Sequence, residues 1–457
     1  MNDNGIGKRK SVRTASGIML TLLLVSMLSV AFDIRQVRSD WTWTETIYIR
    51  ADGSIYPVTA PMISTDNVTY TLTDNIIGNV SEGSSAIIIE RANIIIEGAG
   101  HAVQSTALTV SSRTRSNGIY LFGTGNVTVK DININVFWFG IYLNQTSYNS
   151  IFGNNITNSN YGVYLESSSH NTISGNNIAN NGFGVGVYLV SSFDNSVSGN
   201  TFTNNGLTVW SSYQNSVENN TVNGRPLIFL EDVSNFAVDD AGQVVLVRCE
   251  NIRVEGLDLS RTAVGVELWE TSNSTISVNK ITDDLYGIYS CNSSGNSISE
   301  NSITDNAYGV GLDSSSGNSI FHNSFVNNKA HVDSSSGSVN VWDNGYPYGG
   351  NYWSDYNGTD SFNGAYQNMT GSDGIGDKPY IIDANNTDGY PFMPPWGTGD
   401  IDGDGKVTLI DLVLLAMAYG SHPGDLKWNA DADINNNGIV NFSDLVSLAK
   451  CYGKTYT

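Results

Sequence analysis

A chain of 457 residues is long enough for two or more modules, and its 44 acidic against 22 basic side chains leave a net charge of −22. That excess argues against nucleic acid as a partner, because a polyanion is repelled by an acidic surface. Only three cysteines occur, which excludes a disulfide-dense scaffold.

At the N-terminus, Lys8, Arg9, Lys10 and Arg13 precede an apolar stretch from Gly17 to Phe32. A basic segment followed by about 16 apolar residues has the form of a secretory signal, and is short for a membrane span. Residues 1–39 are predicted to be a signal peptide, with Ser29 to Ala31 as its cleavage site, or an uncleaved N-terminal anchor, the one route to a membrane. Export agrees with about a dozen N-x-[ST] sequons, including Asn67, Asn126, Asn144, Asn273 and Asn357, which would be glycosylated surface positions. Residues 40–85 are predicted to be capping strands.

From there a register repeats. Ile276, Ile298 and Ile320 are 22 apart within "ISVNKI", "ISENSI" and "IFHNSF", and the same frame runs earlier from Ile151, Ile173, Val197 and Val217, with Val129 and Val254 in phase. A second stretch, "G-[IV]-x-L", recurs at Gly140, Gly162, Gly186 and Gly309, with Ser290 in place of leucine in the Gly287 copy. Apolar positions alternate with period two among Asn, Ser, Gly and β-branched residues, which specifies short strands and excludes helical units. Such a unit cannot bury its own apolar face, so successive copies must stack. The fold class is therefore mainly β: a right-handed parallel β-helix over 86–340, each coil rising roughly 4.8 Å. At that rise Cys249 and Cys291, almost two coils apart, lie roughly 9 to 10 Å from each other and cannot form a disulfide. Asn154, Asn176, Asn200, Asn220, Asn279, Asn301 and Asn323 hold one place in successive coils, where amide ladders and tolerance of left-handed backbone explain them as scaffold.

Strand alternation points Tyr142, Tyr164 and Tyr188 outward as an exposed aromatic ladder, with Tyr289 further along the row. Flat aromatic faces at one strand spacing suit the apolar faces of sugar rings; stacking that only stabilises the sheet is the alternative. Catalysis on polysaccharide would need carboxylates a few ångströms apart on one face. The candidates are Asp239, Asp240, Asp283 and Asp284, near Arg248, Arg253, Arg261 and Asp305; Arg261, Asp283 and Asp305 are each 22 apart and predict a charge ladder.

Residues 341–396 read as the cap of the solenoid, and Asp360, Asp373 and Asp377 around "DGIGD" are candidates for an extra calcium, against a glycine-rich turn without metal. Residues 397–457 change character. "DIDGDGKVTLID" places Asp400, Asp402, Asp404, Lys406, Thr408 and Asp411 at loop positions 1, 3, 5, 7, 9 and 12, with Gly405 at the sixth. Such crowding of oxygens suits a hard cation, calcium rather than magnesium. "DINNNGIVNFSD" repeats it with Asp433, Asn435, Asn437, Ile439, Asn441 and Asp444, and its asparagines lower the ligand charge and hence the expected affinity.

Each loop leads into an apolar helix, and this duplicated loop-plus-helix resembles the dockerin domain of type I. The resemblance implies calcium-dependent folding and a cohesin-like partner, with Leu409, Ile410, Phe442 and Ser443 at the loop positions that often carry partner choice. The two loops differ there. The "N-S-I-S-x-N" repeats and the segment Gly349 to Pro395 resemble the NosD-like and carbohydrate-binding/sugar-hydrolase (CASH) group of right-handed β-helices. Copper, linked to some NosD relatives, finds no support in five histidines without paired spacing. Taken together, the chain reads as an extracellular or cell-surface protein that binds polysaccharide or glycan along its solenoid and attaches through a calcium-loaded dockerin. The alternatives are a polysaccharide lyase or glycoside hydrolase, and a structural scaffold or adhesion protein without ligand.

Overall fold

A computed structural model describes residues 41–43, 45–106, 115–335, 337–371, 373–393, 399–402, 406–434 and 438–453. The predicted signal or anchor at 1–39 lies outside the described residues, as do Asp404, Gly405, Asn435 and Asn437.

The period-two pattern becomes a right-handed parallel β-helix. A coil contributes three strands, for example Phe139–Asn144, Ser150–Phe152 and Asn155–Thr157. Each pairs in parallel with its copy in the next coil, so that Ile141, Tyr142 and Leu143 face Val163, Tyr164 and Leu165. The inward positions Ile141, Leu143, Ile151, Ile156 and Val163 are fully buried. At roughly 25 cal/mol per Å² of apolar surface removed from water, this repeating aliphatic column is the main stabilising term. Strands Ile47–Ile49, Thr69–Leu72 and Ile76–Gly78 already stack in parallel on the following coil, while Ile55–Tyr56 and Met62–Ile63 turn back antiparallel at the open end.

Asparagine ladders join the coils at the turns. Asn154 N–H donates to Asn176 Oδ1 at 2.9 Å and Asn154 Nδ2 to the same oxygen at 3.1 Å; the pattern repeats through Asn200 and Asn220. The left-handed backbone falls one residue before each ladder asparagine, at Gly153, Gly175, Gly199, Asn219, Val278, Glu300 and His322. The expectation that the ladder asparagines themselves take that conformation is thus corrected: their amides bond between coils and their predecessors make the bend.

The repeat is also not one uninterrupted stack. After Thr221–Val222 the chain turns through Asn223 and Gly224, both with positive φ, and Arg225–Glu231 pairs antiparallel with the strand just left. A second stack then builds on Arg225–Glu231 through Gln243–Val247, Val264–Trp269, Tyr286–Cys291, Tyr308–Asp313 and Ala330–Ser334. The asparagines therefore form two ladders, one ending at Asn220 and one running from Asn279 through Asn301 and Asn323. The last strand of the Tyr-bearing sheet in the first stack, Gly206–Trp210, is covered by side chains in place of a further strand. Leu207 N–H donates to Gln243 Oε1 at 2.9 Å, Gln243 Nε2 returns a bond to Leu207 O at 2.7 Å, and Val209 N–H donates to the fully buried Glu267 carboxyl. A bare sheet edge would otherwise present unpaired backbone groups.

In the cap, Tyr352–Trp353 pairs in parallel with Ser324–Val326, and Trp353 stacks between Phe325 and Tyr380 at 4.4 and 4.3 Å. The ladders continue there: Asn351 accepts from Asn323, Asn386 from Asn340, and Asp388 from Asn351 and the Trp353 indole. The C-terminal module carries helices α1 (Leu409–Ala418) and α2 (Phe442–Cys451) around a small core that includes Ile401, Val407, Leu415, Val440 and Leu448.

Candidate functional site

Three regions are candidates for functional chemistry. In the C-terminal module, ligand atoms of Asp400, Asp402 and Asp411 all lie within 4.8 Å of one another, the one such convergence of three candidate ligands among the described residues. Three carboxylates drawn together need a positive charge between them, and oxygen donors at this density fit calcium. Asp411 is fully buried and also organises the loop, accepting from Ile401 N–H at 2.6 Å, Asp402 N–H at 3.1 Å and Thr408 N–H at 2.6 Å. Thr408 caps α1 by accepting from Ile410 N–H, and Asn441 caps α2 from Ser443 N–H, each in a reciprocal capping box with Asp411 or Asp444. The side-chain oxygens of Thr408 and Asn441 therefore serve the helix starts. In the second loop Asp433 accepts from Gly438 N–H and Asp444 from Asn441 N–H, and the Ile439 carbonyl accepts from the Asn441 amide.

Leu409, Ile410, Phe442 and Ser443 are exposed at the first turns of their helices. The structure adds Val413 and Met417, which extend the exposed apolar face of α1, against Val446 alone on α2. Residue spacing i, i+4, i+8 from Leu409 could have revealed them.

Asp360, Asp373 and Asp377 do local work in the cap. Asp360 accepts from Asp373 and Gly374 N–H, Asp373 from Gly364 and Ile375 N–H, and Asp377 from Ser361 and Phe362 N–H. These are loop-fastening bonds, and the three carboxylates form no convergent group.

The tyrosine row is in register: Tyr120, Tyr142, Tyr164 and Tyr188 lie opposite one another, with ring centroids 5.1, 5.3 and 5.5 Å apart. The rings are half-buried and do not present flat parallel faces; successive planes from Tyr142 onward meet at 70° and 78°. A second row explains this, because Phe139 and Tyr161 pack against the first at 4.6 to 5.7 Å. Burial pushes the Tyr164 hydroxyl up to about 12, so it stays a neutral donor, and Tyr142 donates to Glu166. Tyr289 belongs to the second stack, opposite Glu267 and Gly311, and so does not continue the hydrogen-bonded row. It reaches the same cluster from the other side: Tyr161, Phe183, Tyr188, Tyr286 and Tyr289 pack together on Val185, Ala263 and Val264.

Beside that cluster lies a groove between the two stacks, formed by two adjoining cavities of about 500 and 660 Å³ that share Asn204, Arg261 and Asp283. Gly184, with φ of 69°, comes so near Thr262 that an added Cβ would stand 2.5 Å from its carbonyl oxygen, which keeps the stacks in close approach. Asp283 pairs with Arg261 at 3.6 Å, and both take the same left-handed turn position as Asp305. Asp284 is buried in the turn ladder, accepting from Thr262 N–H at 2.6 Å. Desolvation holds its carboxyl well above the ordinary carboxylate range. Asp239 and Asp240 are exposed after strand Ser234–Val238 and do not line this groove.

Residues 62–222 match the family described as right handed beta helix region, residues 204–358 that of the periplasmic copper-binding protein (NosD), and residues 398–451 the dockerin type I domain. No curated protein matches the chain. Among solved structures it is similar to DFA-IIIase from Arthrobacter chlorophenolicus A6 without its lid, at 13% identity over 55% of this chain and 70% of that one, with a TM-score of 0.33. It is similar also to the A-module of mannuronan C-5 epimerase AlgE6 from Azotobacter vinelandii, at 15% identity over 60% and 82%, TM-score 0.28. A tailspike protein of E. coli bacteriophage HK620, solved with a pentasaccharide, gives 13% identity over 56% and 55%, TM-score 0.30. Likeness at this level carries no argument about chemistry.

Proposed function

We infer that this chain, a right-handed parallel β-helix bearing a type I dockerin domain, is an extracellular carbohydrate-associated protein that docks to a cohesin-like partner and presents its solenoid to glycan. The observation that carries the docking half is the convergence of Asp400, Asp402 and Asp411 at the start of α1. Calcium held there by those carboxylates, with Asp433 and Asp444 serving the second loop, would neutralise the acidic loops and fasten them to the helices. The α1 face of Leu409, Ile410, Val413 and Met417 is more apolar than that of α2 and is the proposed contact surface. Leu409→Asp is expected to weaken binding to a cognate cohesin at least tenfold, read by calorimetry, whereas Val446→Asp on α2 should change it less than threefold. Equal effects would remove the preference for α1.

The glycan half rests on the aromatic row of Tyr120, Tyr142, Tyr164 and Tyr188, one ring per coil. The half-exposed edges and hydroxyls of such a row can hydrogen-bond and stack on sugar units repeating along a chain. Its test is retention of the full chain on insoluble polysaccharides with calcium present. Replacing Tyr142 and Tyr164 together by Ala should reduce retention at least tenfold at temperatures where melting curves show the solenoid intact. Unchanged retention by that folded variant would sink the row as the binding surface.

A further inference from the structure

We propose that the groove at the junction of the two stacks binds a uronate sugar unit, with Arg225, Arg261 and Lys280 facing its carboxylate, Phe183 its apolar ring face, and the Asp284 carboxyl group at its floor. The groove exists because the repeat is broken: turns of the first stack around Phe183 and Asn204 face turns of the second around Thr262 and Thr282. No single coil could form it. Each of its two cavities falls in the size range that holds a small ligand.

Charge selects the class of ligand. In a chain of net charge −22, three cations gather here against two exposed carboxylates, Asp258 and Asp283. The pairs Arg261–Asp283 and Lys280–Asp258 are both 3.6 Å long and solvent-exposed, a kind of contact that contributes little to stability, so a ligand carboxylate can take their place at little cost. Arg225 lines the second cavity and has no ion pair among the described residues. Phe183 brings a half-buried ring to the wall, backed by Tyr161 at 5.3 Å and Trp138 at 5.8 Å. An aromatic face beside cations matches a sugar ring that carries a carboxylate.

The second, independent observation is at the floor. Asp284 is 4% exposed and Thr262 1% exposed, and both line the cavity. Beyond a side-chain contact with each other, neither Asp284 Oδ2 nor Thr262 Oγ1 has a hydrogen-bond partner of normal geometry. Elsewhere in this ladder the position is an asparagine: Asn306 Nδ2 donates to Asn328 Oδ1 at 3.0 Å and to Ile281 O at 3.2 Å. An aspartate there forgoes those bonds, and buried polar groups without partners are rare enough to call for a reason. A ligand oxygen that accepts from the Asp284 carboxyl and the Thr262 hydroxyl supplies one.

The test is calorimetric titration of the full chain, at fixed calcium, with tetramers of galacturonate and of mannuronate, a neutral glucose tetramer and tetraglutamate. At least one uronate tetramer should bind tenfold or more tighter than the other two, weakening with added salt. Arg225→Gln combined with Lys280→Gln should cost at least tenfold, and Asp284→Asn at least threefold, while Arg50→Gln, which removes a cation paired with Glu90 outside the groove, leaves binding unchanged. Uronate binding no tighter than that of the neutral tetramer, or unaffected by the charge variants, overturns the proposal; equal binding of tetraglutamate overturns its sugar specificity. Full affinity in a folded Asp284→Asn chain removes that carboxyl from the site.

Discussion

Replacing Asp284 by Asn is expected to raise the stability of the solenoid at pH 7 by about 1–3 kcal/mol, the cost of a buried polar atom left without a partner. The side chains have nearly the same shape, and an amide nitrogen in place of Oδ2 can donate as Asn306 and Asn328 do in the coils that follow. The effect should depend on pH. Desolvation raises the Asp284 carboxyl well above its ordinary 3.8, so the folded chain keeps a proton that the unfolded chain releases. The stability contributed by that proton is fully present below about pH 4 and is lost as pH rises. Thermal melts should therefore show the Asn variant higher at pH 4 and the gap widening toward pH 8. A gap independent of pH, or an Asn variant less stable at pH 8, would contradict the placement of Asp284 as an unrelieved buried acid. Stability gained with uronate affinity lost is the pattern expected of a group held in an unfavourable place for binding.

Removing calcium from the C-terminal module should unfold that module alone. Its core is small, with eight buried hydrophobic residues between Ile401 and Cys451 among the described residues, too little to hold about 50 residues together without help. A chelator is expected to abolish the helical signal of α1 and α2 in circular dichroism and to end cohesin binding, while the melting transition of the solenoid stays where it was. Asp411→Ala should do the same with calcium present. It strips partners from the backbone N–H groups of Ile401, Asp402 and Thr408 at once and removes a carboxylate from the convergent group, a loss of about 3 kcal/mol or more. A chelated chain that keeps both helices would show that capping boxes and core suffice.

How legible these features were depended on their spacing. The ladder from Asn154 to Asn220 stood out because its members recur at nearly constant intervals, and each amide does bond to the next. The same ladders run into the cap through Asn351, Asn386 and Asp388, which a periodic reading could not reach because the intervals there are 28, 46 and 37 residues. Burial lifts Asp388 to about 7, another sign that it fills an asparagine-like place. The motif places Tyr289 in the row of Tyr188; hydrogen bonding puts it in the other stack, and only packing on Val264 brings the two together.

The sequence by itself determined the coil, its inward aliphatics, its turn asparagines and the duplicated acidic loops, since each follows from neighbours or from a constant interval along the chain. Tertiary structure alone decided that Thr221–Val222 folds back on Arg225–Glu231, that Gln243 and Glu267 close the edge of Gly206–Trp210, and that Phe183, Arg261 and Asp284 share one groove. The physical reason is that a repeat encodes its contacts with the next copy, whereas a break in the repeat brings together residues from 36 positions apart, as Leu207 and Gln243, to about 100, as Phe183 and Asp284, whose meeting depends on how two finished stacks pack.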